Sequence, residues 1–239
     1  MSNPVYKRVL LKLSGEVLAG KRGFGIDPNR ASILAQEIKS VHDLGVSIGV
    51  VIGAGNIFRG IKAADRGMDR VTGDYLGMLA TIMNSIAMQD ALEKIDCDTR
   101  TLSAISVNKI SEPYIRRRAI RHLEKGRIVI IAGGTGNPYF STDTAAALRA
   151  TELGAEIVLK GTKVDGIYDT DPVKHRDARK YNKITYKKVL EDNLRVMDMT
   201  AITLCLENSL PIKVFNINNS GDLKKIIFGS NIGTLVSSE

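Results

Sequence analysis

Val5-Tyr6-Lys7-Arg8-Val9-Leu10-Leu11-Lys12-Leu13-Ser14-Gly15 opens the first apolar run of the chain, and its continuation sets the architecture. Residues 5–13 read as a buried strand. Asp27-Pro28 then opens a helix, with Asp27 as N-cap and Pro28 at the first helical position. Ala31, Leu34, Ile38 and Val41 recur at spacings of three and four, one face of that helix, and Gly45 stops it. Residues 46–52 form a second strand, apolar except for Ser47 and Gly49. A parallel strand buried on both faces has that composition.

The rest of the chain repeats the alternation. Residues 74–95 read as a helix with Leu76, Leu79, Met83, Ile86 and Leu92 near one face. Strands follow at 99–102, 127–132 and 156–160, with helices at 114–125 and 142–153 closed by Gly126 and Gly154. In the helix at 114–125, Ile115, Ile120 and Leu123 take the apolar side. Shorter helices are expected near 185–190 and 199–208, and last strands at 212–215 and 234–236. Residues 169–181 are polar and read as a long loop. The alternation predicts an α/β fold, a three-layer αβα sandwich around a mainly parallel sheet, as one domain over residues 1–239.

Composition narrows the class. The chain has 239 residues, 44% apolar and 25% charged, enough to bury a core without disulfides or metals. Cys97 and Cys205 match no zinc spacing and suit a reducing compartment or core filling. The N-terminus lacks a signal-peptide pattern, and no apolar run approaches the roughly 18 residues of a membrane span. A cytoplasmic protein is expected. The formal charge of +8 favours anionic partners, nucleotides or nucleic acids. Arg116, Arg117, Arg118 and Arg121 form the densest basic run, which reads first as a solvated helix face.

In open parallel sheets, ligands bind beyond the carboxyl ends of the strands. Four strand ends here carry unusual loops: Lys12–Gly15, Gly53-Ala54-Gly55-Asn56, residues 133–142 and residues 160–166. Glycine lets backbone approach a phosphate, and helix N-termini offer N–H donors to it. Residues 15–22 nearly spell a P-loop, but Arg22 replaces the hydroxyl residue, and Gly23, Gly25 and Pro28 disfavour the helix that must follow. Gly53-Ala54-Gly55 fails as a dinucleotide fingerprint because Phe58 stands at the third glycine. His42, His122 and His175 read as surface residues.

Lys12 is the most informative residue. A lysine at the end of so apolar a strand either snorkels to solvent or is a fixed cation at the sheet's edge. Lys160 also ends a strand. Other polar residues have plainer readings. Asp74 is a candidate N-cap after Gly73, Asp143 complements its helix N-terminus, Asp198 is an N-cap, and Thr135 and Asn137 are turn residues.

With those loops in hand, the chain resembles the amino acid kinase superfamily and, within it, the bacterial UMP kinases, over nearly its full length. The likeness rests on Tyr6-Lys7-Arg8, Leu11–Glu16, Gly23–Asp27, Gly55–Gly60 and Asp69–Asp74. It continues through Gly133–Asp143, the most specific segment, then Thr162–Tyr168, Val196-Met197-Asp198 and Pro211–Asn216. The resemblance implies that Lys12, Leu13, Ser14, Gly15, Gly55 and Arg59 contact ATP phosphates. Thr162, Tyr168 and Asp171 would hold the adenosine side. Ala54, Asp74, Thr135, Gly136, Asn137, Pro138, Tyr139, Phe140, Ser141 and Thr142 would hold UMP.

It also implies that Lys12, Arg59 and Asp143 carry catalysis, with Asp143 organising the cations or magnesium. Gly20, Lys21, Arg22, Gly23, Phe24 and Gly25 would form the region through which GTP activates. ATP would act with Mg2+, UTP would inhibit, and the assembly would be a homohexamer. Where the family usually has three glycines, this chain has Ala54 in the middle. A main-chain contact survives that change unless the residue needs positive φ.

The chemistry suits the inventory. A phosphate acceptor is already anionic near neutral pH and needs no general base, so positioning and charge neutralisation dominate. Three other readings stay open: a related kinase with a carboxylate or carbamate acceptor, a nucleotide-binding storage or regulatory protein, and nucleic-acid binding by the basic helix.

Overall fold

The computed structural model describes residues 3–59, 67–170, 172, 174–175, 177–194 and 196–238. Its strands are β1 (Arg8–Leu13), β2 (Ser47–Ile52), β3 (Thr99–Ser103), β4 (Glu112–Pro113), β5 (Ile128–Ala132), β6 (Ile157–Thr162), β7 (Ile167–Tyr168), β8 (Lys180–Tyr181), β9 (Lys183–Thr185), β10 (Ile212–Asn216) and β11 (Thr234–Ser237). The α-helices described are α1 (Pro28–His42), α2 (Arg70–Glu93), α3 (Arg116–Glu124), α4 (Thr142–Leu153), α5 (Tyr186–Glu191), α6 (Met199–Glu207) and α7 (Asp222–Ile227).

Nine strands form one sheet in the order β4-β3-β5-β2-β1-β6-β10-β11-β9. Every pairing in it is parallel except β10 with β11. Side chains alternate between the two faces of each strand. Val9, Leu11 and Leu13 of β1 pack against α1, α2 and α7 residues such as Leu34, Ile38, Leu92 and Ile226. Leu10 faces the opposite layer, with Ala146, Ala147 and Ala150 of α4, Leu123 of α3 and Ile202 of α6. Each large apolar side chain fully buried this way contributes about 1.5–3 kcal/mol. Cys97 and Cys205 are free and buried, one in each layer, which is the core-filling reading. None of the described helices is long and apolar enough to cross a membrane.

The alternation places Lys12 on the same face as Leu10, towards α4. On β6, Val158 packs in that layer too, and Lys160 shares its side. Lys12 and Lys160 are register partners across the β1–β6 ladder. The chain leaves β1 towards β2 and leaves β6 towards β10, so connections diverge between these two strands. That divergence opens a crevice at the carboxyl ends of the strands.

Several expectations change. α2 begins at Arg70, and Asp69, not Asp74, caps it by accepting from Thr72 N at 2.8 Å. Gly73 looked like a helix boundary but lies inside the helix. On α2, Leu76, Leu79, Met83 and Ile86 are exposed, while Thr81, Asn84 and Ser85 are buried. Ile115 is exposed as well, so the apolar side of α3 rests on Ala119 and Leu123. The stretch 169–181 is not a plain loop: β7 and β8 pair across it as a short antiparallel ribbon. Among the histidines only His175 is exposed; His42 Nε2 bonds Gly126 O at 2.8 Å, and His122 lies beside Glu112 and Arg127.

Candidate active site

Gly15 and Gly53 let the loops after β1 and β2 cross. A Cβ on Gly15 would lie 2.4 Å from both Asn56 Oδ1 and Gly53 O, which no side chain tolerates. Beneath the crossing, Asn56 and Asn84 form a buried reciprocal amide pair at 2.8 and 2.9 Å. Asn84 Nδ2 also donates to Gly53 O at 2.7 Å, and Asn56 Nδ2 to Gly25 O at 2.8 Å. Every amide hydrogen of the pair is therefore used, the condition under which buried polar groups fix one geometry. Ala54 is not among the residues with positive φ, so alanine fits the second position of the glycine loop without strain.

Lys12 does not snorkel. Only 7% of its surface is exposed, and its Nζ lies 2.6 Å from Asp143 Oδ1. Lys160 Nζ lies 2.8 Å from Asp143 Oδ2 and also donates to Val196 O. Asp143 sits in the first turn of α4, where Ser141 is the cap, accepting from Asp143 N at 2.9 Å and Thr144 N at 3.2 Å. Asp198 accepts from Ser141 Oγ and Thr144 Oγ1 and caps α6 through Ala201 N, tying the starts of α4 and α6 together. Burial works against the Asp143 charge, but Lys12 and Lys160 outweigh it and hold the carboxyl at about 2. Burial pushes Lys160 down, opposed by Asp143.

Two lysines share one carboxylate, so the group carries a net positive charge in a poorly solvated place. A buried ion pair is weak evidence of stabilisation, because desolvation offsets its attraction. An unmatched second cation makes better sense as a receptor for an anion.

Two cavities flank this group. One, about 480 Å³, is lined by Lys160, Thr162, Tyr168, Leu194 and Val196 among others. The other, about 430 Å³, is lined by Ala54, Gly55, Arg59, Asp74, Thr135, Phe140, Ser141 and Thr142 among others. Lys160 lines the first, and Thr142, the neighbour of Asp143, lines the second. Thr162 and Tyr168 thus fall in one cavity, and Ala54, Asp74, Thr135 and Phe140–Thr142 in the other. Gly55 and Arg59, expected with the ATP phosphates, line the second cavity. Lys12, Leu13, Ser14 and Gly15 line neither; Ser14 N donates to Gly161 O at 3.4 Å. Asp171 lies outside the described residues.

The segment 133–142 folds as a tight loop over the second cavity. Thr135 Oγ1 donates to Asn137 O at 3.1 Å and accepts from Asn137 N at 3.2 Å, a local turn. Gly133 and Gly136 adopt positive φ, and Pro138 follows. Tyr139, 68% exposed, also has positive φ, an uncommon state for a bulky residue that clusters at ligand sites. Its N–H donates to Asp74 Oδ2 at 2.7 Å, and Asp74 pairs with Arg70 at 2.9 Å. Arg59 pairs with Glu16, which also meets Lys163 at 3.5 Å.

A third cavity, about 310 Å³, is bordered by Glu16, Gly20, Lys21, Arg30, Lys163 and Asn218. Residues 15–18 and 20–22 are short 3₁₀ turns, and Gly23 and Gly25 have positive φ, so no P-loop helix forms. Arg22 is exposed and Phe24 is 68% exposed. Gly25 N donates to Asn56 O at 2.7 Å. Sequence reading missed Asn84 and Thr81 as site residues. Their signal was two polar residues set among the apolar positions of a long helix.

Residues 7–216 match the amino acid kinase family. The solved structure of UMP kinase from Bacillus anthracis is 40% identical, covers 98% of this chain and 97% of its own, and superposes with a TM-score of 0.95. UMP kinase from Ureaplasma parvum is 37% identical over 99% of this chain and all (100%) of its own, with a TM-score of 0.90. Uridylate kinase from Archaeoglobus fulgidus is 25% identical over 96% and 99%, with a TM-score of 0.74. Sheet order, crevice and sequence converge: the chain belongs to the amino acid kinase family.

Proposed function

We propose that this chain transfers the γ-phosphoryl group of ATP to UMP, forming UDP, with the 480 Å³ cavity as donor site and the 430 Å³ cavity as acceptor site. The observation that carries the reading is the buried Lys12–Asp143–Lys160 group, whose Lys160 lines the first cavity and whose Asp143 follows Thr142 of the second. The full-length likeness to two UMP kinases supports UMP over a carboxylate or carbamate acceptor.

The difficulty in this reaction is to bring two polyanions together. An acceptor phosphate is its own nucleophile, so no side chain need remove a proton. Lys12 and Lys160 supply positive charge where the transferring group would carry spread negative charge, and Asp143 keeps both ammonium groups aimed. Arg59 adds a cation at the rim of the acceptor cavity. Asp74, held by Tyr139 N–H and Arg70, and the loop amides would orient the acceptor.

Among the described residues no group of three or more His, Cys, Asp or Glu is placed to cage a metal. Both Asp143 oxygens are occupied by lysines. Mg2+ would therefore arrive with ATP and would supply neutralising charge beside Lys12 and Lys160. The chain's own residues would hold the nucleotide around it.

GTP as activator would act through residues 20–25, whose Gly25 is hydrogen-bonded to Asn56 under the glycine loop; UTP would inhibit. A homohexamer in the cytoplasm is the proposed state. The exposed apolar stripe of Leu76, Leu79, Met83 and Ile86 on α2 supports an oligomer, because contiguous apolar surface on a folded chain marks contact sites. The domain reading is one unit over residues 1–239, with the N-terminal part mainly on the acceptor and oligomer side and the C-terminal part mainly on the donor side.

The deciding experiment is a coupled ATPase assay with UMP, CMP, glutamate and aspartate as acceptors, with and without GTP. UMP should dominate by at least an order of magnitude over CMP, since a site built to bond one base's edge rejects the other. Turnover with a carboxylate acceptor, or none with any acceptor, would overturn the assignment.

A further inference from the structure

Arg149 is a buried charge that the transfer chemistry does not use. It lies in α4, two turns beyond Asp143, and only 5% of it is exposed. An arginine there must have a purpose that repays its desolvation. Its surroundings define one. Nη1 donates to Glu152 Oε2 at 2.7 Å, one turn on. Nη2 donates to both Gly134 O and Thr135 O at 3.3 Å. The guanidinium lies over the Tyr114 ring, 4.1 Å from its centroid. Tyr114 Oη in turn donates to the same Glu152 Oε2 at 2.6 Å. Arg116 Nε fixes Glu152 from the other side, through its carbonyl, at 2.6 Å.

Gly134 and Thr135 form the turn that lines the acceptor cavity. Gly134 has φ +60° and Gly136 φ +86°, so this segment is held in a conformation few sequences prefer. Its carbonyls point inward to Arg149. Thr135 Oγ1 is engaged with Asn137 N and O, and Gly136 N donates to Gly133 O, so the turn is braced from within as well as by Arg149. One guanidinium thus meets two adjacent carbonyls and a carboxylate while sitting over an aromatic ring, a combination suited to a delocalised cation with several donors.

We infer that Arg149 is a positioning residue for the acceptor site: clamped by Tyr114 and Glu152, it sets the shape of the Gly134–Thr135 turn that receives the acceptor. The inference rests on the acceptor reading of that cavity. It assigns Arg149 no contact with substrate.

Two measurements on the full chain test it. Steady-state kinetics with UMP and ATP are compared for wild type, Arg149→Lys and Tyr114→Phe. A hydrogen bond from a charged donor to each carbonyl is at stake, so Arg149→Lys should raise the UMP KM about tenfold or more. The ATP KM should stay within about twofold, because the donor cavity shares no residue with the clamp. Tyr114→Phe keeps the ring under the guanidinium and should shift the UMP KM in the same direction, by less. Amide hydrogen exchange is measured on the same proteins without nucleotide, and residues 133–137 should exchange faster in Arg149→Lys while β1 and β6 do not change. An unchanged UMP KM in an Arg149→Lys protein that turns over, equal rises in both KM values, or unchanged exchange at 133–137 would overturn the inference. Wild type that fails to phosphorylate UMP would contradict the acceptor reading instead, and the exchange measurement alone would then judge Arg149.

Discussion

The two cavities are held together by different physics. On the acceptor side, each loop is gripped from below by a buried side chain on a helix. Asn84 holds Gly53 O at 2.7 Å, Thr81 accepts from Gly133 N at 2.9 Å, and Arg149 holds two carbonyls of the next turn. On the proposed donor side most contacts are nearer the surface, with the Thr234–Ile167 bond the buried exception. β7 pairs with the two residues of β8, Thr234 Oγ1 accepts from Ile167 N at 2.8 Å, and Asp165 joins Tyr168 Oη at 2.7 Å and Lys180 at 3.0 Å. Buried, fully used polar groups specify one arrangement, whereas exposed ion pairs add little. On the proposed assignment, the acceptor side is the more tightly specified of the two.

Removing the charge shared by both sides should have the largest effect. Asp143→Asn leaves two buried ammonium groups facing each other, a change that costs about 3–5 kcal/mol in comparable cases. Its pH signature follows from the sign of the shift. The folded-state carboxyl lies at about 2, below the roughly 3.9 of an unfolded aspartate. Its contribution is complete above about pH 5 and is lost as pH falls towards 2. Denaturant titrations should therefore show wild type losing stability across that acid window while Asp143→Asn changes less. Parallel curves would contradict the ion group as drawn.

Next in size is the acceptor-side grip. Asn84→Ala strands Gly53 O and Asn56 Oδ1 and removes one of the two Asn56 Nδ2 bonds, and should destabilise by about 2–3 kcal/mol with a rise in the UMP KM. A loss under about 0.5 kcal/mol would mean that the amide pair does not hold the loop. The donor side should give the smallest response. Lys180→Ala, which breaks an exposed pair with Asp165, should change stability by less than about 1 kcal/mol. The ATP KM should move by no more than a few-fold. A large loss there would erase the contrast between the two sides.

What was legible in the sequence divides along the same line. β1, β2, β5 and β6 were plain because strands buried on both faces are short apolar runs bounded by glycine, and their convergence followed from the alternation. Lys12 stands out as a charge set between Leu11 and Leu13 at the end of such a run. Asp143 and Lys160 could be named, but their meeting at a single carboxylate depends on β1–β6 register and the placement of α4, which no local pattern encodes. Arg149 was invisible, because an arginine in a helix reads as solvated until its neighbours are known. The start of α2 was misplaced because Gly73 looked like a boundary, and its outer stripe was read without knowing which face the core would take. β7 and β8 are too short and polar to register as strands.

The most direct test concerns Lys12. In Lys12→Ala, Lys160 still neutralises Asp143, so folding should survive and the readout is chemical. Turnover with UMP and ATP should fall by about 10²-fold or more, the scale of losing one preorganised charge donor. UMP binding by calorimetry should stay within about threefold of wild type. Equal losses in turnover and in UMP affinity, or turnover near wild type, would contradict a role for the buried lysine in the transfer step.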